Sequence, residues 1–405
     1  MPVLFCGQPT PRGVACADGW EVVPENDQDA ACLATGSQTE ILLQQTTGFL
    51  FTWGLAHPNP QLLPLPFPDI KGSMAATSNE LVVAGGSGVS CCPLSSLLDA
   101  YVTPGQGVCD APPEPPSGPW SSIGFPSGVN IVRLAAALHW MPWGGSGRGA
   151  PTAMASSALE PLLHRSHSPN TTASHQPGPA WCHWPALPNT LTIISRPKEH
   201  QAAMRAVRVG ELGHLSPPQQ QQKMPAHLAC ADIACGARHS AATTRDGRLF
   251  LWGSSLHGQC GIPGTASVWT PHEMQEAHPL QPCAVAAGLA HTCLLTAAGD
   301  AYAFGWNGQG QLGTGGTQDA HLPQLLEASS TAETAVKQVA CGARHTVVLD
   351  DTGQAFSCGW NKFGQLGRRS DLIAPSLEAM TLPAELGPIG KVACGWWSSM
   401  VMTEA

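Results

Sequence analysis

Residues 339–360 read VACGARHTVVLDDTGQAFSCGW. The stretch opens on a short apolar run, VACG, and continues into the β-branched run HTVVL. A turn-forming DDTG follows, and then the alternating run QAFSCGW. Short Val- and aromatic-rich runs bounded by Gly and Asp are strands joined by tight turns, so the stretch predicts three consecutive strands. A fourth, weaker strand is predicted in the proline-containing segment between Gly367 and Gly395.

Copies of this unit recur outward from it. IACGARHSAATTRDGRLFLWG (233–253), AAGLAHTCLLTAAGDAYAFGW (286–306) and VACGWWSSMVMTEA (392–405) align with it. The leading glycines Gly236, Gly288, Gly342 and Gly395 are 52, 54 and 53 residues apart. In each complete copy a second glycine (Gly253, Gly305, Gly359) follows 17 residues later, and a third (Gly261, Gly313, Gly367) 8 further on. Fixed offsets of this kind identify a repeat, and about fifty residues per four short strands is the size of a propeller blade. The marker glycines are expected at positive φ, or where the backbone approaches too closely for a Cβ.

The last copy stops 10 residues after Gly395, and Gly7 lies 7 residues from the start, which together give the internal offset of 17. PVLFCG is therefore expected to supply the missing strand of the blade begun at 392–405, closing the array and covering an exposed strand edge.

Composition agrees with short strands. Charged residues are only 12%, while Gly (44) and Pro (37) are abundant, and long helices need charged exposed faces. The net charge of −9 is spread along the chain, with 9 Lys+Arg against 14 Asp+Glu in 231–405 and 10 against 14 before it. No basic stripe is available to neutralise phosphates, so no direct nucleic-acid binding is expected. The fifteen cysteines are odd in number and lack the spacing of a disulfide framework. They predict small buried hydrophobes in a reducing compartment, cytoplasmic or nuclear. Neither a signal peptide nor an apolar run of membrane-spanning length is read from the sequence.

CGARHT, GWNGQGQLG and GWNKFGQLG closely resemble the regulator of chromosome condensation repeat. The resemblance implies an all-β fold: a seven-bladed β-propeller of four-stranded blades, closed by pairing the N- and C-terminal strands in one blade. It is clear over 231–405 and weaker in the first hundred residues, where TTGFLFTWG (46–54) and SNELVVAGG (78–86) resemble DGRLFLWG. Gly7, Gly54, Gly85, Gly253, Gly305 and Gly359 mark six blades. NTLTIIS (189–195) with VGELGH (209–214) is expected to build the seventh. Residues 1–103 are read as the closing strand and first degenerate blades, and 191–405 as the remaining blades. Residues 104–190, with 15 prolines and six charged residues, are read as a Pro-rich insertion holding a degenerate strand near 129–140. PPQQQQ (217–222) is read as a loop extension.

Several residue types in the repeats could carry chemistry, but their repeated positions favour plainer roles. His239, His291 and His345 recur at one repeat position and should be spread around the ring, so each is expected to bond a neighbouring backbone group and lock the turn after the glycine. Cys235, Cys341 and Cys394 are expected as buried strand residues. Cys91-Cys92 is a vicinal pair that could be redox-active, though an isolated pair is usually inert. His164, His167, His175 and Cys182-His183 match no zinc spacing, so neither a metal nor a cofactor is expected. No nucleophile elbow, phosphate loop or HExxH is present, and GSGRG (145–149) precedes no helix pattern, so no enzyme activity is expected. The loops Trp306-Asn307-Gly308-Gln309 and Trp360-Asn361-Lys362-Phe363 should project from one rim of a rigid scaffold and are the candidate partner-binding loops.

The expected function is thus a monomeric, non-enzymatic scaffold or adaptor binding a protein partner. The resemblance implies an alternative, guanine-nucleotide exchange on a Ran-like small GTPase. It also implies a remote one, UV-B photoreception, through a Gly-Trp-Arg-His-Thr motif. Here the corresponding positions read GARHS, GLAHT, GARHT and GWWSS, with Ala or Leu in place of the Trp in three copies.

Overall fold

The computed structural model describes residues 230–263, 267–326, 334–383 and 387–404, together with Trp20 and the strands that precede residue 230. The chain divides into two units, Met1–His139 with Pro185–Ala405, and Trp140–Trp184. The second unit lies outside the described residues. So do His164, His167, His175, Cys182-His183, GSGRG, VGELGH and most of the Pro-rich tract.

The first unit consists of seven four-stranded antiparallel sheets. β1 (Val3–Gln8) and β2 (Glu21–Val22) belong to a sheet completed at the other end of the chain. The next contains β3 (Ala30–Thr35), β4 (Thr39–Gln44), β5 (Phe49–Gly54) and β6 (Gln61–Pro64). It is followed by β7 (Ile70–Ala76), β8 (Glu80–Gly85), β9 (Gly88–Pro93) and β10 (Ser121–Ile123), then by β11 (Val129–Ala136), β12 (Thr190–Pro197), β13 (Ala203–Arg208) and β14 (Gln222–Lys223). The clear repeats supply β15 (Cys230–Cys235), β16 (His239–Thr244), β17 (Leu249–Ser254) and β18 (Ser267–Glu273), followed by β19 (Pro282–Ala287), β20 (His291–Thr296), β21 (Ala301–Gly305) and β22 (Ala320–Leu325). β23 (Val336–Cys341), β24 (His345–Asp350), β25 (Ala355–Trp360) and β26 (Ile373–Ala379) form the sixth complete sheet, and β27 (Ile389–Cys394) and β28 (Trp397–Thr403) end the chain.

The terminal strands meet as the offset of 17 required. β1 pairs antiparallel with β28 from Val3↔Met402 to Gln8↔Trp397, giving the order β2-β1-β28-β27. Leu4, Phe5 and Cys6 are buried there. Trp20, also buried, reaches across to the preceding sheet, and its indole Nε1 donates to the carbonyls of Thr381 (2.7 Å) and Gly367 (3.2 Å).

One weak match is corrected. SNELVVAGG was expected as a third strand like DGRLFLWG, but β8 is the second strand of its sheet, and β9 is the third. Gly85 pairs directly with Gly88, so it stands at the hairpin end of β8. The glycine pair thus serves a tight hairpin, whereas the Gly at the end of a third strand marks a different bend.

Burial explains the run HTVVL. In β16, β20 and β24 every residue is buried, because these second strands are covered on both faces by neighbouring sheets. Alternation vanishes under such two-sided burial. Outer strands such as β22 are largely exposed. The core lies in the seams between successive sheets. Leu295, Leu312, Val348, Phe356 and Leu377 share one seam, and Leu249, Leu251, Leu294 and Phe304 another. Each such side chain contributes about 1.5–3 kcal/mol by leaving water. The hairpin turn after β24 is held by Asp350, whose Oδ1 accepts from the backbone N–H of Thr352 (3.0 Å) and Gln354 (2.7 Å), which is why Asp favours such turns.

The repeat glycines fall into two physical classes. Gly253, Gly305, Gly359 and Gly7 end third strands at φ between 106° and 111°, a region closed to most side chains. Gly342 is of the other kind: a Cβ there would run into the His345 ring and lie 2.7 Å from the Gly395 carbonyl oxygen. Gly236 and Gly288 face the same obstruction from His239 and His291 and from the carbonyls of Gly288 and Gly342. Backbone bonds tie these turns into a chain: Ala237 N donates to Gly288 O (3.2 Å), Leu289 N to Ala343 O (3.1 Å), and Ala343 N to Trp396 O (3.0 Å).

Candidate functional site

The repeat histidines prove to be ties between sheets. His239 Nε2 lies 2.9 Å from Thr292 Oγ1, His291 Nε2 3.1 Å from Thr346 Oγ1, and His345 Nε2 2.9 Å from Ser399 Oγ. Each hydroxyl spends its own proton on a glutamine carbonyl: Thr292 on Gln259 (2.9 Å), Thr346 on Gln311 (2.7 Å), Ser399 on Gln365 (2.7 Å). The imidazole must therefore donate from Nε2, leaving a lone pair on Nδ1. The expected partner was a backbone group in the histidine's own turn, but the bond instead crosses to the next sheet. The reason is the leading glycine. Without a Cβ it leaves room for the ring, whose Cε1 and Nδ1 occupy the space a Cβ would take. Burial disfavours the charged form and lowers the His239 and His345 pKa values to about 4 and that of His291 to about 3, the last helped by its two neighbours. All three are neutral near pH 7 and face no solvent.

The candidate loops divide. Asn307 is fully buried; its Oδ1 accepts from Leu312 N (2.9 Å) and its Nδ2 donates to Gly316 O (3.0 Å). Asn361 makes the same bonds, to Leu366 N (2.9 Å) and from Nδ2 to Arg368 O (3.2 Å). Gln309 donates to the Gly308 carbonyl at 2.9 Å. Both asparagine side chains are consumed in shaping their loops, as Ser255 does by accepting from Cys260 N (3.3 Å) in the preceding copy. Gly395 holds the same turn as the other leading glycines, its N–H donating to Ser398 O at 3.0 Å.

Trp306, Trp360, Lys362 and Phe363 behave differently. They gather with two residues the sequence reading did not single out as a site, Arg344 and Trp397. The Arg344 guanidinium carbon lies 5.4 Å from the Trp306 ring centre, 5.3 Å from Trp360 and 5.7 Å from Trp397. Those three indoles come from three successive sheets. Around them, Trp360 meets Trp397 edge-on at 5.1 Å and Phe363 at 5.5 Å, and Trp397 contacts Trp396 at 5.9 Å. Lys362 Nζ stands 5.5 Å from the Phe363 ring. Beside Trp306, His257 packs at 5.9 Å and bonds Asp319 at 2.8 Å.

Electrostatically this cluster is unbalanced. Arg344 is half-buried, and burial lowers its pKa from the ordinary guanidinium value. Its Nε is buried without a hydrogen-bond acceptor. Among the described residues the ion pairs are those of Arg248, His257, Lys337 and Arg368, and Arg344 has none. The aromatic faces supply part of what a carboxylate would, since a ring attracts a cation placed over its face by about 0.5–2 kcal/mol. The arrangement offers a rigid, aromatic, cationic surface suited to binding a partner. The available signal for Arg344 was its place two residues after the leading glycine and next to the repeat histidine.

Comparison with known proteins gives this scaffold a family context. Models of the regulator of chromosome condensation (RCC1) repeat match residues 246–295, 298–349 and 352–402, and a second model of the same repeat matches 230–259, 283–311 and 336–365. The ultraviolet-B receptor UVR8 of Arabidopsis thaliana is 33% identical over 202 residues, covering 48% of this chain and 44% of the receptor. The RCC1 domain-containing protein 1 of Mus musculus is 26% identical over 332 residues, covering 70% of this chain and 86% of that protein. The match thus spans under half of the plant receptor's length. Among solved structures, human WBSCR16 superposes with a TM-score of 0.67 at 16% identity over 100% of this chain and 99% of its own. Prp20p of Saccharomyces cerevisiae, studied for binding Gsp1p and histones, gives 0.66 at 17% over 100% and 92%. At these identities the structural likeness shows the fold. Among the described residues no helix is long and apolar enough to cross a membrane.

Proposed function

From a chain that carries regulator of chromosome condensation repeats on a seven-sheet propeller, we propose a non-enzymatic scaffold that binds a protein partner through the face around Arg344. The observation behind this reading is the cation held among Trp306, Trp360 and Trp397, with no carboxylate paired to it among the described residues. A half-buried charge without a counter-ion is costly, and a partner presenting an acidic side chain beside an apolar one relieves that cost. Trp and Arg are also the residues that most often dominate binding energy at interfaces. The buried histidines, spent in the seams, are not available for acid–base chemistry, which favours binding over catalysis. A cytoplasmic or nuclear setting suits the free thiols.

The test is quantitative affinity capture by the full chain and by Arg344→Glu and Trp360→Ala variants of unchanged melting temperature. A partner retained by wild type and lost by both variants is expected. An identical partner set would remove the face from the reading. Exchange activity on a small GTPase is the competing role. Release of labelled nucleotide from Ran, Rab or Arf family GTPases, faster than the blank, would replace scaffolding with exchange.

A second reading has its own observation, the linked indoles Trp306, Trp360, Trp396 and Trp397 around a guanidinium, taken with the likeness to a receptor for ultraviolet-B light. Against it, Ala237, Leu289 and Ala343 stand where that reading asks for Trp. Unchanged tryptophan fluorescence and oligomeric mass after UV-B exposure would end it.

A further inference from the structure

Each seam between the clear repeats uses one imidazole and one hydroxyl, and the tie requires no sulfur. Two residues beyond the tying histidine the chain carries Ala241, Cys293 and Val347 in the three copies. At the end of the facing innermost strand it carries Ala287, Cys341 and Cys394. In the seam between β20 and β23 both positions are cysteine. There one ring nitrogen of His291 and the Sγ atoms of Cys293 and Cys341 all lie within 4.8 Å of one another. The neighbouring seams hold His239 with Ala241 and Ala287, and His345 with Val347 and Cys394, neither of which offers three ligands.

We propose that His291, Cys293 and Cys341 form a zinc(II) site bridging two blades. Both thiols are free. His291 and Cys293 are fully buried, whereas Cys341 as a residue is partly exposed. Nδ1 of His291 is buried with no hydrogen-bond partner; coordination through Nδ1 would use that lone pair, and coordination through Nε2 would displace the bond to Thr346. The Thr346 hydroxyl, 3.1 Å from Nε2, fixes the ring's orientation, as second-shell groups do for metal-ligating histidines.

Charge decides which ion fits. Binding releases the two thiol protons to solvent, leaving two thiolates and a neutral imidazole. A dication makes that set neutral, which a buried seam tolerates. A monovalent ion such as Cu(I) would leave one net negative charge in a low-dielectric site. Magnesium and calcium call for oxygen ligands instead. Zinc bonds of about 2.3 Å to sulfur and about 2.0 Å to nitrogen require the three donors to draw together by roughly an ångström, a side-chain adjustment. A fourth position remains open, as in other zinc sites with three protein ligands. Burial first, and then the neighbouring thiols, push the Cys341 pKa up.

The test uses the full reduced chain and the variants Cys293→Ala, Cys341→Ala and their combination. Ala already stands at the equivalent positions 241 and 287, so the repeat accommodates it. Zinc(II) is titrated in competition with a chromophoric chelator. Cobalt(II) is added separately to read the thiolate-to-metal absorption band. Because the chain has other cysteines, the readout is the difference between proteins. Wild type is expected to hold one tight equivalent more than the double variant and to gain melting temperature with zinc. Either single variant should lose most of the cobalt band. Equal stoichiometry and equal bands in all four proteins would overturn the site. If the double variant does not fold, Cys341→Ala, at the more exposed position, carries the same comparison.

Discussion

Replacing His239 by Gln should flatten the protein's response to acid. In the folded chain this imidazole is buried against Thr292 and its pKa is lowered to about 4 from 6.5, first by desolvation. The unfolded chain therefore binds a proton at a pH where the folded chain does not, and stability rises with pH through that interval. The loss begins as pH falls below about 6.5 and continues until about 4, where the folded form also protonates. Integrated from pH 7.5 to pH 5, one such histidine costs about 2 kcal/mol, and about 3 kcal/mol by pH 4. Gln keeps a donor for the Thr292 hydroxyl but does not titrate. Urea unfolding at pH 7.5, 6 and 5, in a buffer containing a chelator, should show the variant less stable than wild type at pH 7.5. The gap should close by about 2 kcal/mol at pH 5. Thr292→Val provides the control: it removes the hydrogen bond while leaving the imidazole in place, so it should be destabilised at every pH without the closing gap. Parallel curves for wild type and His239→Gln would show that the seam histidine is not held neutral by burial, and the tie described for all three repeats would fall with it.

Gly342→Ala should cost about 2–4 kcal/mol, because its Cβ meets both the His345 ring and the Gly395 carbonyl and neither can move without opening the seam. Gly364→Ala, with φ 79° but nothing within 4 Å, should cost only about 1 kcal/mol from backbone strain; equal losses in denaturant unfolding would refute the close-approach argument. Deleting residues 2–7 removes most of β1 and its pairing with β28, and should lower the melting temperature far more than deleting an equal piece of 105–118. Trp20→Phe keeps the buried ring but strands the carbonyls of Gly367 and Thr381; a loss of about 1–3 kcal/mol is expected, and none by calorimetry would mean the indole bonds are dispensable.

Much of the fold was legible because a propeller writes its period into the chain. The offsets of 17 and 8 between glycines record where the backbone must take positive φ or pass a neighbouring carbonyl, and both constraints act through residues close in sequence. The same logic located the terminal pairing of β1 with β28 from nothing more than two incomplete offsets. It failed at Gly85, which ends a second strand at a hairpin rather than a third strand, since glycine suits both places. Of the candidate loops, Trp306, Trp360, Lys362 and Phe363 did come together, while Asn307, Gln309 and Asn361 turned inward. A loop motif does not say which of its polar side chains satisfies its own backbone.

The sequence by itself determined the repeat, the strand order within it and the glycines that it cannot replace, because those are local demands of turns and close approaches. Only the tertiary structure decided that His239 reaches Thr292, that Arg344 stands among three indoles, and that Cys293 meets Cys341. His239 and Thr292, Arg344 and Trp397, and Cys293 and Cys341 come from successive sheets some fifty residues apart. Radial packing of those sheets brings equivalent strand positions side by side, and no pattern confined to one repeat can reveal what the next repeat places opposite it.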